Sequence, residues 1–326
     1  MLTSFKRLFT PYRGLPKEVY VLFIAKIINA MGSFVLPLLT IILIDAIGLS
    51  KQTAGLFISI AGVLFIPASM LGGKLADSIG RKKVILIFDT LSSVLYIVIG
   101  FMEPSMMMVY MIALASMAMV TAGPAHDSLI ADVTTPETRN GAYALSYMGW
   151  NIGFAIGPII GGVLYKNHLP LVFIGDALTA LIAIGLISFF IKETIDRTKE
   201  DIVEEERKLE RREEGSIFSV LLKRPILIYF SFFAIGYSFA YSQWSYLLPM
   251  NIMDQYPNTG AKYFGILSSF NGFVVMIFTP ILTKMMERIV NIRKVVYGVL
   301  FYAVGFGMLG FLNQIEFFSF PFLFLR

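Results

Sequence analysis

Ionisable side chains inside long apolar runs are the first residues here with the means to do chemistry. Lys26 lies in the run 19–44 and Asp127 near the end of the run 106–131. A charge in hydrocarbon is costly, so one that is retained there is read as functional, with its partner named. If their helices face one cavity, Lys26 and Asp127 stand at comparable depth and pair, either as a structural ion pair or as a proton-coupling site. His126 adjoins Asp127 but points about 100° away on a helix. Asn29 and Asn151 are further polar positions for a pore. Tyr237 and Tyr241 offer aromatic faces with polar tips, suited to an aromatic or cationic solute. Trp244 and Tyr246 fit an interfacial aromatic belt better. Asp89 reads as a counter-ion of the nearby basic turn, and Asp176 lies about two turns from the far face of its run.

A second group of charges lies between the runs. Gly73-Lys74-Leu75-Ala76-Asp77-Ser78-Ile79-Gly80-Arg81-Lys82-Lys83 reads as a loop, with Gly73 and Gly80 allowing a tight turn between packed helices. An acid at Asp77 sits at the wrong pole of the preceding helix, so it calls for another partner, such as a guanidinium. Asp132 falls at the same level as Arg81, and the two are expected to form a latch. Lys82 and Arg139 are grouped with that charge network. Pro136 should end one helix and Asn140-Gly141 should turn into the next.

A third group lies within one apolar run. Gly153, Gly157 and Gly161 recur every four residues and form a stripe against which another helix can pack backbone to backbone. Pro158 removes a hydrogen bond and bends the helix, and Gly162 continues the small-residue surface.

These residues need elements to position them, and composition says which. The chain has 326 residues, 56% hydrophobic, 15% charged, with no cysteine and two histidines. Soluble domains are about a quarter charged. Nine apolar runs are long enough to cross a bilayer: 19–44, 53–73, 84–102, 106–131, 142–165, 169–191, 226–249, 261–283 and 295–313. The fold class is therefore an all-α, polytopic membrane protein, with the lipid bilayer as its first partner. A tenth run begins at Phe317 and reaches only Leu325, so the chain is expected to stop within a span.

Of the 25 Lys and Arg outside the spans and away from the chain end, 22 lie at the N-terminus or in even-numbered loops. That asymmetry predicts a cytoplasmic N-terminus in a plasma (cytoplasmic) membrane. Lys51, Lys166 and Lys262 alone fall on the other side. From Lys192 to Glu214, 17 of 23 residues are charged, which reads as a tether containing a solvated helix over 203–214. The expected organisation is a six-helix bundle over 1–191, a linker over 192–224 and an incomplete second bundle over 225–326. The stretches 55–85 and 265–295 echo each other, each with a span broken by proline (Pro67, Pro280) before a basic turn.

The three motif segments together resemble the major facilitator superfamily of secondary transporters. The Gly73–Lys83 segment resembles its most widespread signature, and Gly153–Gly162 the antiporter motif of its drug:proton exchangers. The resemblance implies two six-helix bundles rocking about a central cavity. By position it assigns Asp77, Arg81 and Asp132 to a cytoplasmic charge network, and Gly153, Gly157, Pro158 and Gly161 to an exchange-type hinge. Ser78 stands where the family usually has a basic residue, and the span containing 109–125 lacks the arginine its exchangers place there. The implied activity is proton-coupled efflux of small amphipathic compounds, with a metabolite or sugar carrier and a truncated, non-transporting remnant as the alternatives.

Other classes find little support. Without cysteine, and with only His126 and His168, a zinc centre lacks ligands. Gly305-Phe306-Gly307-Met308-Leu309-Gly310 matches a dinucleotide pattern but lies within a span, with no preceding strand. No enzyme activity, cofactor, metal or nucleic-acid partner is expected.

Overall fold

A computed structural model describes Tyr12 and residues 14–195, 225–286, 289 and 291–309. The regular elements among them are helices: α1 (Lys17–Met31), α2 (Val35–Ile41, continued by a π turn, Ile42–Ala46), α3 (Lys51–Ile79), α4 (Arg81–Gly100), α5 (Met106–Asp132), α6 (Pro136–Phe154), α7 (Gly157–Tyr165), α8 (Leu169–Phe190), α9 (Pro225–Gln255), α10 (Gly260–Met285) and α11 (Asn291–Leu309). Seven stretches are long and apolar enough to cross a bilayer, with α1–α2 forming one and most of α6–α7 another. Helices α9 and α11 stand at the two remaining positions where spans are expected. The tether beyond Ile195, with its expected helix, and the run from Phe317 lie outside the described residues.

Two spans are interrupted, and proline accounts for both. Pro158 has no N–H to give to the carbonyl of Phe154, the last residue of α6. Pro37, in the first turn of α2, cannot bond back to Ser33, so the chain leaves the helix at Gly32 and re-enters at Val35. The expected breaks at Pro67 and Pro280 do not occur, since α3 and α10 run through them.

The turns are shorter than expected. The segment from Gly73 is helical to Ile79, and Gly80 alone separates α3 from α4 at φ 112°, a conformation glycine adopts without strain. Pro136 does not end a helix but opens α6, where Thr135 and Thr138 cap one another. Asn140 and Gly141 are inside that helix, because the cap is satisfied before them.

Helix α4 packs on α5 and α8, α1 on α6 and α8, and α3 on α5, while α10 lies against α6 and α7 and α9 against α10 and α2. One buried cluster holds the basic end of the first six spans, with Val19, Leu22, Val84, Ile85, Leu129 and Ile187. Another, including Phe34, Leu38, Ile99, Phe173, Leu248 and Phe264, joins helices from both sides of the tether. Leu56, Ile60, Val63 and Met70 share one face of α3 and are more than half exposed. In hydrocarbon that face carries no penalty, whereas every backbone amide must be satisfied within its helix.

Candidate functional site

At the basic end, the one-residue turn at Gly80 brings Arg81 onto three oxygens. Its Nε lies 3.0 Å from Asp132 Oδ2 and its Nη2 3.1 Å from Asp77 Oδ1. Its Nη1 donates at 3.1 Å to the Ala76 carbonyl at the end of α3, which also accepts the Gly80 N–H. Thr194 Oγ1 donates to the same Asp132 oxygen at 2.7 Å. The structure thus brings Asp77, Arg81 and Asp132 together. Lys82 serves elsewhere, donating from Nζ to the Ser188 carbonyl at 2.7 Å. Arg139 makes no ion pair with Asp77 or Asp132 among the described residues, and its Nε is buried without a hydrogen bond.

Sequence reasoning missed Glu193 in this cluster. Its carboxylate accepts the backbone N–H groups of Lys82 at 3.3 Å and Lys83 at 3.1 Å. Gly80 has no side chain with which to cap α4, so a carboxylate from the end of α8 does it. The positions of the glycines also shift by one residue. A Cβ on Gly72 would overlap the backbone oxygen of Thr121 on α5, whereas one on Gly73 meets only Pro124, at 3.9 Å.

The stripe on α6 and α7 packs against α1. A Cβ on Gly153 would come within 2.5 Å of Ala30 and the Ile27 oxygen, and one on Gly157 within 2.9 Å of the Ala30 and Met31 oxygens. Gly161 meets Phe34 at 3.1 Å. The opposite side of α7 packs on α10, where a Cβ on Gly265 would overlap the Pro158 oxygen and one on Gly162 would approach the Ala261 oxygen to 2.5 Å. The interrupted span therefore lies between its bundle neighbour and a helix from beyond the tether, and its break is opposite the break in the first span.

That second break has its own cap. Asp176 Oδ2, from α8, accepts the N–H groups of Phe34 at 3.1 Å and Val35 at 3.0 Å. Gly32 fits against Thr179, whose hydroxyl leaves no room for a Cβ.

Between α1, α4, α5 and α8 lies a cavity of about 60 Å³ lined by Lys26, Asn29, Asp89, Tyr96, His126 and Asp176, with serines and apolar residues. Here the pairing differs from expectation. Asp89 does not neutralise the basic turn but lies 2.7 Å from His126 Nε2. Lys26 and Asp127 form no ion pair, and Asp127 is exposed and absent from the lining. Asn151 is buried, with its Nδ2 donating to the Tyr147 carbonyl at 2.8 Å. Tyr237 and Tyr241 meet Tyr302 with ring centroids 4.8 and 6.0 Å apart. Trp244 packs on Phe264 rather than standing free in a belt.

The end opposite the basic turns is closed by contacts across the tether. Thr40 Oγ1 donates to the Ser245 carbonyl at 2.9 Å, Tyr246 donates to the Lys51 carbonyl, Lys51 pairs with Asp254, and Lys166 donates to Asn258 Oδ1 at 2.8 Å. Lys262 lies where Gly162 meets α10. All three minority-side cations thus stand at this junction.

The family described as Major Facilitator Superfamily matches residues 22–325. Among curated proteins, the chain is similar to a Na(+), Li(+), K(+)/H(+) antiporter of Planococcus maritimus, with 24% identity over 80% of this chain and 66% of that one. It is also similar to Multidrug resistance protein 2 of Bacillus subtilis, with 25% identity over 84% of this chain and 69% of that one. It spans about two thirds of the length of these relatives. Among solved structures, the peptide transporter POT in complex with sulfate superposes with a TM-score of 0.69 at 17% identity, covering 96% of this chain and 80% of that one, a likeness of fold.

Proposed function

The chain belongs to the major facilitator superfamily, and from that membership we propose that it is a secondary transporter exporting small amphipathic compounds in exchange for protons. Its bundles, 1–191 and 225–326 joined by 192–224, rock about a central cleft, and solute binds between them with Tyr237 and Tyr241 on the approach. Asp77, Arg81 and Asp132 form the gate at the cytoplasmic end. Gly153, Gly157, Pro158, Gly161 and Gly162 form the hinge. The basic ends lie in the cytoplasm and the chain sits in the plasma membrane, a reading supported by the one-sided distribution of Lys and Arg.

The observation that carries the reading is the pair of facing breaks. Helix interruptions at Gly32–Phe34 and Ala155–Ile156 meet where Gly157 touches Ala30 and Met31, while Pro158 touches Gly265 across the tether. Discontinuous helices at the junction of two halves are the places where transporters bind solute and flex. The antiporter and multidrug relatives support exchange and efflux in kind.

The test loads inverted membrane vesicles containing the chain with an imposed proton gradient and follows ethidium, a cationic amphipathic probe. Uptake into the vesicles should collapse when a protonophore dissipates the gradient. Uptake that continues unchanged rejects proton coupling, and its absence above empty vesicles rejects export of this class.

A further inference from the structure

We propose that the coupling proton binds inside the first bundle, at the Asp89–His126 pair, and not in the cleft at Asp127. The proposal rests on the proton-exchange reading above and names its site. Asp89 Oδ2 and His126 Nε2 are 2.7 Å apart, and both line the cavity between α1, α4, α5 and α8. The two residues come from different helices and are half-buried, with side chains 14% and 28% exposed. A neutral imidazole beside a carboxylate changes by a full charge on taking one proton, and histidine does so near neutral pH. Nothing else in the first bundle combines an acid and a base at hydrogen-bond distance away from its basic end, among the described residues.

The surroundings give that charge change a consequence. Lys26 of α1 lines the same cavity and, among the described residues, has neither an ion pair nor a hydrogen bond. It shares the field of the Asp89 carboxylate with His126, so a proton on the imidazole adds a second cation beside that anion. On α8 the facing group is Asp176, held by the Phe34 and Val35 amides at the break in the first span. On α4 itself Tyr96 lines the outer part. Asp127, the next residue on α5, is exposed and outside the lining but within electrostatic reach of Lys26, and Tyr143 of α6 donates to its backbone oxygen. Helix α3, packed on α5, contributes no group to the lining. A proton gained at His126 therefore presses on Lys26, and through α1 on the Gly32–Phe34 break that meets the hinge in α6 and α7. A cavity of this size has room for water between these groups.

The full chain is purified in detergent micelles and its histidine rings are followed by NMR as pH changes. The chain has only two histidines, so His168→Gln leaves His126 as the single signal. The His126 ring should take up a proton as the pH falls, and Asp89→Asn should alter that uptake. A ring that takes up no proton across the pH series, or an uptake indifferent to Asp89→Asn, overturns the assignment. In the vesicle assay, His126→Gln should lose proton-driven ethidium uptake while ethidium still equilibrates down its own gradient, and Asp127→Asn should retain the driven uptake. Driven uptake by His126→Gln equal to that of the unaltered chain also overturns it. If the unaltered chain ignores the protonophore, the exchange reading fails, and the ring titration still decides whether this pair binds a proton.

Discussion

Arg81 and Asp132 meet with Nε 3.0 Å from Oδ2, their side chains 10% and 9% exposed. Asp77 reaches the same guanidinium at 3.1 Å but is 74% exposed. The two carboxylates look alike on a contact diagram and should differ in energy. Removing Asp132 takes from the guanidinium its one buried carboxylate and from Thr194 Oγ1 its acceptor, so Asp132→Ala should cost about 3 kcal/mol. An exposed partner is screened by water, so Asp77→Ala should cost less than about 1 kcal/mol. Thermal unfolding in detergent checks the ranking, and equal losses would contradict it.

The adjacent glycines of α3 should separate just as clearly. At Gly72 a methyl group runs into the backbone oxygen of Thr121, which cannot rotate aside. Gly72→Ala should therefore push α3 off α5 and cost about 1–3 kcal/mol. Gly73 is open apart from Pro124 at 3.9 Å. Gly73→Ala gains helix propensity instead, up to about 1 kcal/mol. Opposite signs of the change in unfolding temperature are expected, and a destabilising Gly73→Ala would show that the packing at this turn is misassigned.

How much of this was legible in the sequence depends on the kind of distance involved. Span positions are set by run lengths, and α9 and α11 fall where the apolar runs place them. The approach of Arg81 to Asp132 needs only that both sit at one end of adjacent spans. Asp89 with His126 requires the rotation of α4 against α5, and at about 100° per residue a register error of one position points the ring elsewhere. The same one-residue sensitivity separates Gly72 from Gly73. The break in the first span did have a signal, Gly32-Ser33 ahead of Pro37, while Pro67 carries a similar local signal and does not break α3. Glu193 was hidden because it caps a helix more than a hundred residues earlier in the chain.

Asp176 should be a structural acid first. Its Oδ2 takes the Val35 N–H, which has no other acceptor among the described residues, and shares the Phe34 N–H with the Gly32 carbonyl. Asp176→Ala strands the Val35 N–H, at about 1–3 kcal/mol, and leaves that of Phe34 to Gly32 alone. Asp176→Asn keeps a carbonyl oxygen for them and should cost less than the alanine. Amide hydrogen exchange at Phe34 and Val35 reads the effect directly, with faster exchange expected in Asp176→Ala than in Asp176→Asn. Protection unchanged in the alanine variant would mean that the cap is dispensable.

The closed end offers a measurement of rocking itself. Lys51 and Asp254 are 44% and 61% exposed, so their attraction is worth less than about 1 kcal/mol and fades with salt. A term that small cannot hold the fold, but it can bias two states of similar energy by up to about fivefold. The chain has no cysteine, so Thr40→Cys introduces a unique thiol at a position 2% exposed beneath this clasp. A membrane-impermeant maleimide should label it faster in Asp254→Asn, by no more than about fivefold, and faster still in Asp254→Lys, where attraction becomes repulsion. High salt should narrow the difference between Asp254→Lys and the unaltered pair. If Asp254→Lys labels no faster than the unaltered pair, the contacts other than the ion pair, such as Tyr246 with Lys51, hold this end shut without the charges, and the clasp has no part in opening it.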